Sequence, residues 1–185
     1  MLTERQIFYN HIAQTTDEPI GLEIVKAEGI YMIDKEGKKY IDIISGVSVS
    51  NIGHRHPKVV AAIKEQVDKY MHLMVYGEYI QSPQVKYAEL LTNNLPDNLD
   101  NVYFVNSGSE ANEGALKLAK RYTGRSDIIS FNNAYHGSSH GALSILGNEY
   151  FKQAFRPLVP GVNFINFNNV NELTQITTKT ACVII

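Results

Sequence analysis

Apolar residues follow two spacings along this chain. Residues about 3 to 14 repeat at a helical interval, with Ile7, Phe8, His11 and Ile12 on one side. A β-rich block follows, in which Leu22 to Ala27, Ile30 to Asp34 and Lys39 to Ile43 read as short strands. Glu28-Gly29 and Glu36-Gly37 supply the turns, so a three-stranded meander is predicted. So small a sheet needs something else to pack on. From Ile52 the pattern changes. Gly53-His54-Arg55-His56-Pro57 reads as a loop, with Pro57 placed to open a helix. Val59, Val60, Ile63, Val67 and Met71 then recur at helical spacing. A further helix starts near Ser82-Pro83, with Val85, Ala88, Leu91 and Leu95 on one face, and Pro96-Asp97-Asn98 ends it.

Beyond that point strands and helices alternate. Strand Val102 to Val105 leads to helix Ser109 to Tyr122, whose buried face is expected to be Ala111, Ala115, Leu118 and Tyr122. Strand Ile128 to Phe131 precedes a helix near Ser138. Strand Val162 to Phe167 precedes a short helix near Asn171 to Ile176, and strand Cys182 to Ile185 comes last. Such alternation predicts an α/β fold with a largely parallel sheet covered by helices. The chain divides into a β-rich segment (1–50), a helical connector (51–75) and the first half of an α/β domain (76–185). The last five residues, Ala181 to Ile185, read as a core strand without cap or polar tail. Domains rarely stop there, and the expectation is a truncated sequence.

Composition narrows the function classes. Of 185 residues, 44% are hydrophobic and 19% charged, as in a folded domain rather than a disordered chain. A formal net charge of −2 argues against a nucleic-acid partner, which calls for a basic surface. No apolar run approaches the roughly 20 residues of a transmembrane helix, and the N-terminus lacks a signal core, so a cytoplasmic protein is expected. The single cysteine, Cys182, cannot form an internal disulfide and is expected to be an inert, buried thiol.

Two stretches suggest chemistry. In Asn106-Ser107-Gly108-Ser109 a hydrophobic strand runs into a strong helix. The free N–H groups and positive dipole end of that helix, the bare backbone of Gly108 and the hydroxyls of Ser107 and Ser109 make a phosphate cradle at a strand's carboxyl end. The same spacing also fits a capping box between Ser107 and Glu110. It is not a nucleotide P-loop, because Gly-x-x-x-x-Gly-Lys-Ser/Thr is absent. The second stretch, Tyr135-His136-Gly137-Ser138, follows the next strand and falls at the same sheet edge. Tyr135 there can stack on a flat heteroaromatic ring, or it is a core tyrosine above a surface turn. Together the two suggest a ring that carries a phosphate.

These residues resemble a known family. Asn106 to Ala119 is similar to the phosphate-binding helix start of class III pyridoxal-phosphate aminotransferases, and Tyr135-His136-Gly137 to that family's aromatic-His-Gly element. Upstream, Gly29 to Asp42 with Ser45-Gly46 resembles its N-terminal meander. Gly53-His54-x-His56-Pro57 resembles the loop that follows, and Cys182 to Ile185 the strand before its Glu-Pro element. The resemblance spans nearly the whole chain. It implies pyridoxal-phosphate fold type I, with pyridoxal 5'-phosphate as cofactor. Ser107, Gly108 and Ser109 would hold the phosphate, Tyr135 would stack on the pyridine ring, and His136 would sit beside it. Ser45, Gly46 and Tyr76 fall in regions that shape the substrate pocket.

The implied activity moves an amino group from an amino acid or ω-amine to a 2-oxo acid such as 2-oxoglutarate. Aminomutase, epimerase and lyase chemistry on the same fold, or a non-catalytic fragment, are the alternatives. The resemblance places the Schiff-base lysine and the aspartate that pairs with the pyridine nitrogen beyond Ile185. None of Lys117, Lys120 or Lys152 matches the lysine motif, so the catalytic residues are unknown and the 185-residue chain alone is expected to be inactive. Acetylornithine aminotransferases usually carry arginine after the aromatic-His-Gly element and threonine at the second phosphate position. Here those positions are Ser138 and Ser109, which weakens an acetylornithine assignment. The pairs His54/His56 and His136/His140 have metal-like spacings, but the resemblance gives them structural or cofactor-side roles, and no metal is expected. It also implies a homodimer with an interface near the connector and Tyr76 to Tyr79.

Overall fold

The computed structural model describes residues 1–74 and 77–185, which divide into two units, Met1–Gln81 and Ser82–Ile185.

The first unit opens with a helix, Glu4–His11, started by a capping box in which Thr3 and Gln6 satisfy each other's backbone N–H groups. Strands β1 (Ile24–Glu28), β2 (Tyr31–Asp34) and β3 (Lys39–Ile41) form the predicted antiparallel meander, each a little shorter than its apolar run. The β2–β3 turn is organised by one carboxylate. Asp34 accepts the N–H groups of Glu36 (3.1 Å) and Lys38 (2.8 Å) and the hydroxyl of Tyr40 (2.8 Å). After β3 the chain makes a single left-handed turn, Ser45–Ser48, with φ of 51° at Ser45, 60° at Gly46, 60° at Val47 and 63° at Ser48. For the three non-glycine residues this conformation costs about 1–2 kcal/mol each. The helix Pro57–Lys69 begins on proline, as expected. Of its predicted apolar stripe, Val59, Ile63, Val67 and Met71 remain exposed and form, with Ile52 and His56, the wall of a groove of about 660 Å³, while Val60 is half-buried.

The second unit has a parallel sheet in the order β5 (Val162–Ile165), β4 (Asp127–Phe131), β6 (Thr180–Val183). The central strand is the most buried element: Ile128, Ile129 and Ser130 are fully enclosed. Leu116 from the helix Gly108–Thr123 and Ile145 pack on Ile128, with Val162, Cys182 and Ile184 around them. The short helix His140–Ser144 is buried over most of its length and packs against the Gly108–Thr123 helix.

Several sequence expectations need correction. Among the described residues, Val102 to Val105 joins no strand of the sheet. Tyr103 lies on Gly114 and Phe104 beside Tyr87 instead. The long helix is rotated from the predicted orientation: Asn112, Leu116, Ala119 and Thr123 face inward, while Leu118 and Tyr122 are exposed. Apolar spacing missed this because Asn112 finds a buried-side hydrogen-bond partner, described below. The helix expected at Ser138 starts at His140, and the one at Asn171 to Ile176 is a 3-10 helix, Val170–Gln175. β5 stops at Ile165, leaving Phe167 to meet Phe131 edge-on. Cys182 is half-buried, and burial raises its thiol pKa against a weaker pull from Lys120.

Candidate active site

Both stretches singled out in the sequence lie in the second unit, and its fold brings them together. The Gly108–Thr123 helix is capped by Ser107, whose Oγ accepts the N–H of Glu110 at 3.1 Å. The other half of the capping box is displaced by one residue, since the Glu110 carboxylate takes the N–H of Asn106 (2.7 Å) rather than that of Ser107. The cap therefore serves the third N–H of the helix. Among the described residues, the N–H groups of Gly108 and Ser109 and the Ser109 hydroxyl have no partner. An added Cβ at Gly108 would meet nothing within 4 Å, so the first turn opens onto free space. Capping and anion binding, which compete in the sequence, coexist because they use different N–H groups.

The second stretch leaves the carboxyl end of β4. Asn132 donates its N–H to Ile165 O (2.9 Å), and Gly147 donates to Ala134 O (2.9 Å), pinning the start of the loop. Tyr135 follows with 69% of its surface exposed. Gly137 is buried at φ 122°, and its Cα side lies on Ser109: an added Cβ would come within 2.9 Å of Ser109 Cβ. Only glycine allows that approach without strain. The loop that carries the candidate ring platform is thus seated on the residue that opens the candidate phosphate cradle.

His136 points inward and is buried. Its Nε2 lies 3.4 Å from Ser130 Oγ, and that hydroxyl donates its proton to Ile145 O at 2.6 Å. With its one proton committed, Ser130 can only accept, which assigns the hydrogen to Nε2 and leaves Nδ1 as an acceptor. Burial lowers the His136 pKa, keeping the ring neutral. His140 belongs to the next element, so His136 and His140 do not share a helical face.

In the first unit, Ser45 and Gly46 lie in the left-handed turn. Asp42 fastens it, accepting the Ser45 N–H at Oδ1 (2.8 Å) and meeting His54 Nε2 at Oδ2 (2.8 Å). The His54 contact, then the Ser45 N–H, lower the Asp42 pKa against burial. His54 also pairs with Gly29 as an isolated β-bridge, with N···O distances of 3.0 and 2.7 Å. His56 Nδ1 is buried, with no partner among the described residues. Tyr76 lies outside the described residues. Three groups missed in the sequence are Asn112, Glu113 and Ser130. The first two stand three and four residues after Ser109, on its helical face, and that spacing is the signal that could have found them. Ser130 is the lone polar residue in the run Ile128-Ile129-Ser130-Phe131.

Residues 12–184 match the family model for aminotransferase class-III. The chain belongs to the class-III aminotransferase family. It is similar to acetylornithine aminotransferase of Bacillus cereus, 41% identical over 151 residues, covering 82% of this chain and 38% of that one. Among solved structures it resembles adenosylmethionine-8-amino-7-oxononanoate aminotransferase from Methanocaldococcus jannaschii, with a TM-score of 0.89 and 29% identity over 97% of this chain and 45% of that one. It also resembles taurine:2-oxoglutarate aminotransferase from Bifidobacterium kashiwanohense, solved with pyridoxal phosphate and glutamate, with a TM-score of 0.79 and 27% identity over 96% and 46%. The chain spans less than half the length of each. Its fold is that of the N-terminal part of the fold type I pyridoxal-phosphate enzymes, and pyridoxal 5'-phosphate is the family's cofactor. The amino donors in these three names differ, so family membership does not transmit the donor.

Proposed function

We propose that a protein containing this chain is an aminotransferase that moves an amino group from an amino acid or ω-amine to a 2-oxo acid such as 2-oxoglutarate. In this reading residues 1–50 belong to a small domain, 51–75 form a connector and 76–185 begin the cofactor-binding domain of a cytoplasmic homodimer. One observation carries the reading: the unpartnered N–H groups of Gly108 and Ser109 stand beside Gly137, two residues from the exposed ring of Tyr135. Such an arrangement fits a planar ring with a phosphate arm.

When bound, the cofactor supplies an electron sink for the carbon that bears the amino group. This chain's residues hold and orient it. Gly108 and Ser109 offer two N–H donors and a hydroxyl to the phosphate, at the positive end of a sixteen-residue helix. Ser107 makes the cap that leaves those donors free. Tyr135 presents a ring face, and neutral His136 fixes the loop from beneath through Ser130. Ser45 and Gly46 are assigned to the substrate pocket, and the strain of their turn supports that role. Tyr76 is assigned there with them.

The amine that links to the cofactor is assigned outside residues 1–185. Lys152 is buried, but its ammonium is engaged by Glu149 (3.2 Å) and lies over the Phe164 ring (3.8 Å), and no motif selects Lys117 or Lys120. Ser138 is exposed and too short to grip a carboxylate as arginine would, which is why the donor is named only as a class. The test combines the full-length protein, pyridoxal phosphate, a panel of amino donors and 2-oxoglutarate. Glutamate formation is the expected result. Bound cofactor with no glutamate from any donor would favour mutase, epimerase or lyase chemistry, and no bound cofactor would overturn the reading.

A further inference from the structure

The helix that opens the candidate phosphate cradle also grips the loop carrying the ring platform, at successive heights. At its first turn Ser109 lies on Gly137. Three residues on, Asn112 Nδ2 donates to His136 O at 2.7 Å. At the next position Glu113 Oε1 accepts from Ser139 Oγ (2.7 Å), Gly141 N (2.7 Å) and Ala142 N (3.2 Å), capping the His140–Ser144 helix from another element. Gly141 has no room for a side chain because the Glu113 carboxylate fills the space. Burial raises the Glu113 pKa, yet the bonds from Ser139, Ala142 and Gly141 outweigh it and hold the carboxyl below its ordinary range. These contacts bracket Gly137 on both sides in sequence, and Tyr135 projects just before the bracket.

We propose that Asn112 and Glu113 are positioning residues that set the distance between the phosphate cradle at Gly108–Ser109 and the ring platform at Tyr135. A phosphate held by the helix and a ring held by the loop are joined by a short covalent arm, so both subsites engage one cofactor only at a fixed separation. The inference rests on the site assignment proposed above, and the experiment separates the two. A residue that sets spacing matters to a ligand that spans both subsites. It is immaterial to one that occupies the cradle alone.

The full-length apoprotein is titrated with pyridoxal phosphate and, separately, with inorganic phosphate, followed by 31P NMR and calorimetry. The variants are Glu113→Ala, Glu113→Gln and Asn112→Leu. Glutamine keeps an acceptor oxygen at Oε1, whereas leucine keeps the approximate size of Asn112, adds no charge beside the cradle and cannot donate to His136 O. Expected results are pyridoxal phosphate affinity weakened about tenfold or more in Glu113→Ala and Asn112→Leu, and largely restored in Glu113→Gln. Inorganic phosphate affinity should stay within about twofold of wild type in all three. Equal losses for both ligands would reduce the two residues to general supports of the fold and overturn the proposal, as would wild-type affinity for pyridoxal phosphate in the variants. If inorganic phosphate fails to compete with pyridoxal phosphate in the wild-type protein, the cradle assignment itself falls and the proposal with it.

Discussion

The two units are held together by different forces. In Ser82–Ile185, Ile128, Ile129, Ile145, Leu146 and Ile165 are almost wholly enclosed, and the sheet is assembled around them. In Met1–Gln81 no hydrophobic side chain among the described residues is buried, and the buried residues there are Asp34 and Gln81. Carboxylates serve as the organising centres of that unit. Glu23 pairs with Arg5 (2.9 Å) and with Lys35, Asp34 closes the β2–β3 turn, and Asp42 joins the left-handed turn to His54. One unit is thus ordered mainly by exclusion of water, to which His136 and carboxylates such as Glu113 add a pH-dependent part. The other is ordered mainly by hydrogen bonds to charged acceptors, which protonation removes. The residues proposed to bind the cofactor stand on the apolar scaffold, while Ser45 and Gly46 are held by a polar network.

The comparison is challenged most strongly by truncating the core. Ile129→Ala should cost about 2–5 kcal/mol in chemical denaturation, because its side chain is fully enclosed on the central strand and its removal leaves a cavity. Ile41→Ala, on the exposed face of β3, should stay within about 0.5 kcal/mol. Equal costs would show that the meander has an apolar core after all. Next in size is Gly137→Ala, which adds a methyl against Ser109 at a backbone angle that disfavours side chains. It should destabilise the second unit by roughly 1–3 kcal/mol and weaken pyridoxal phosphate binding, read by equilibrium dialysis. Unchanged binding would separate the Tyr135 loop from the cradle.

Acid distinguishes the units more gently. Glu23 is lowered chiefly by Lys35 and Asp42 chiefly by His54; burial raises Asp34, but Tyr40 and two backbone N–H groups together outweigh it and leave it lowered. Each folded pKa lies below its unfolded value. Their stabilisation is therefore complete above the ordinary carboxylate pKa of about 4 and is lost as pH falls through the lowered values. His136 is also lowered, by burial, but it is a base. The unfolded chain takes up its proton first, so the second unit begins to lose stability below about pH 6.5. Amide exchange followed from about pH 7 to 3 should show protection in β4 declining first and protection in β1–β3 declining in a later step. Asp34→Asn should reduce the acid sensitivity of the later step. A single step shared by all strands would remove the distinction between polar and apolar ordering.

Legibility in the sequence follows the same physics. The meander was readable because alternation and Gly29 and Gly37 turns act locally. The candidate cradle and the Tyr135 loop were readable because each is a contiguous motif, one at a helix start and one after β4. Their mutual contact was not, since Gly137 meets Ser109 across 28 residues, and that approach depends on how the Gly108–Thr123 helix packs against β4. The left-handed turn was invisible too, because Val47 and Ser48 have no intrinsic preference for positive φ and are held there by Asp42 and the bonds of Val49 and Ser50 to Ser45 O. Val102 to Val105 has strand-like residues, but a strand also requires a neighbour, which no local pattern records.

The orientation of the Gly108–Thr123 helix yields the smallest predicted effect. Apolar spacing puts Ala111, Ala115, Leu118 and Tyr122 inside, yet Leu118 is 69% and Tyr122 89% exposed. The inward face mixes Leu116 and Ala119 with Asn112 and Thr123, which is stable because Asn112 reaches His136 O and Thr123 Oγ1 donates to Ala119 O at 2.8 Å. Satisfied polar groups can thus outweigh a wider apolar stripe in choosing which side of a helix meets a sheet. If so, Leu118→Ala in the 185-residue chain should change the unfolding free energy by no more than about 0.5 kcal/mol, whereas Leu116→Ala should cost about 2–5 kcal/mol. A large cost at Leu118 with a small one at Leu116 would mean that the apolar stripe had won and the helix is turned the other way. Asn112 and Glu113 would then leave the Tyr135 loop, and the grip on that loop would go with them.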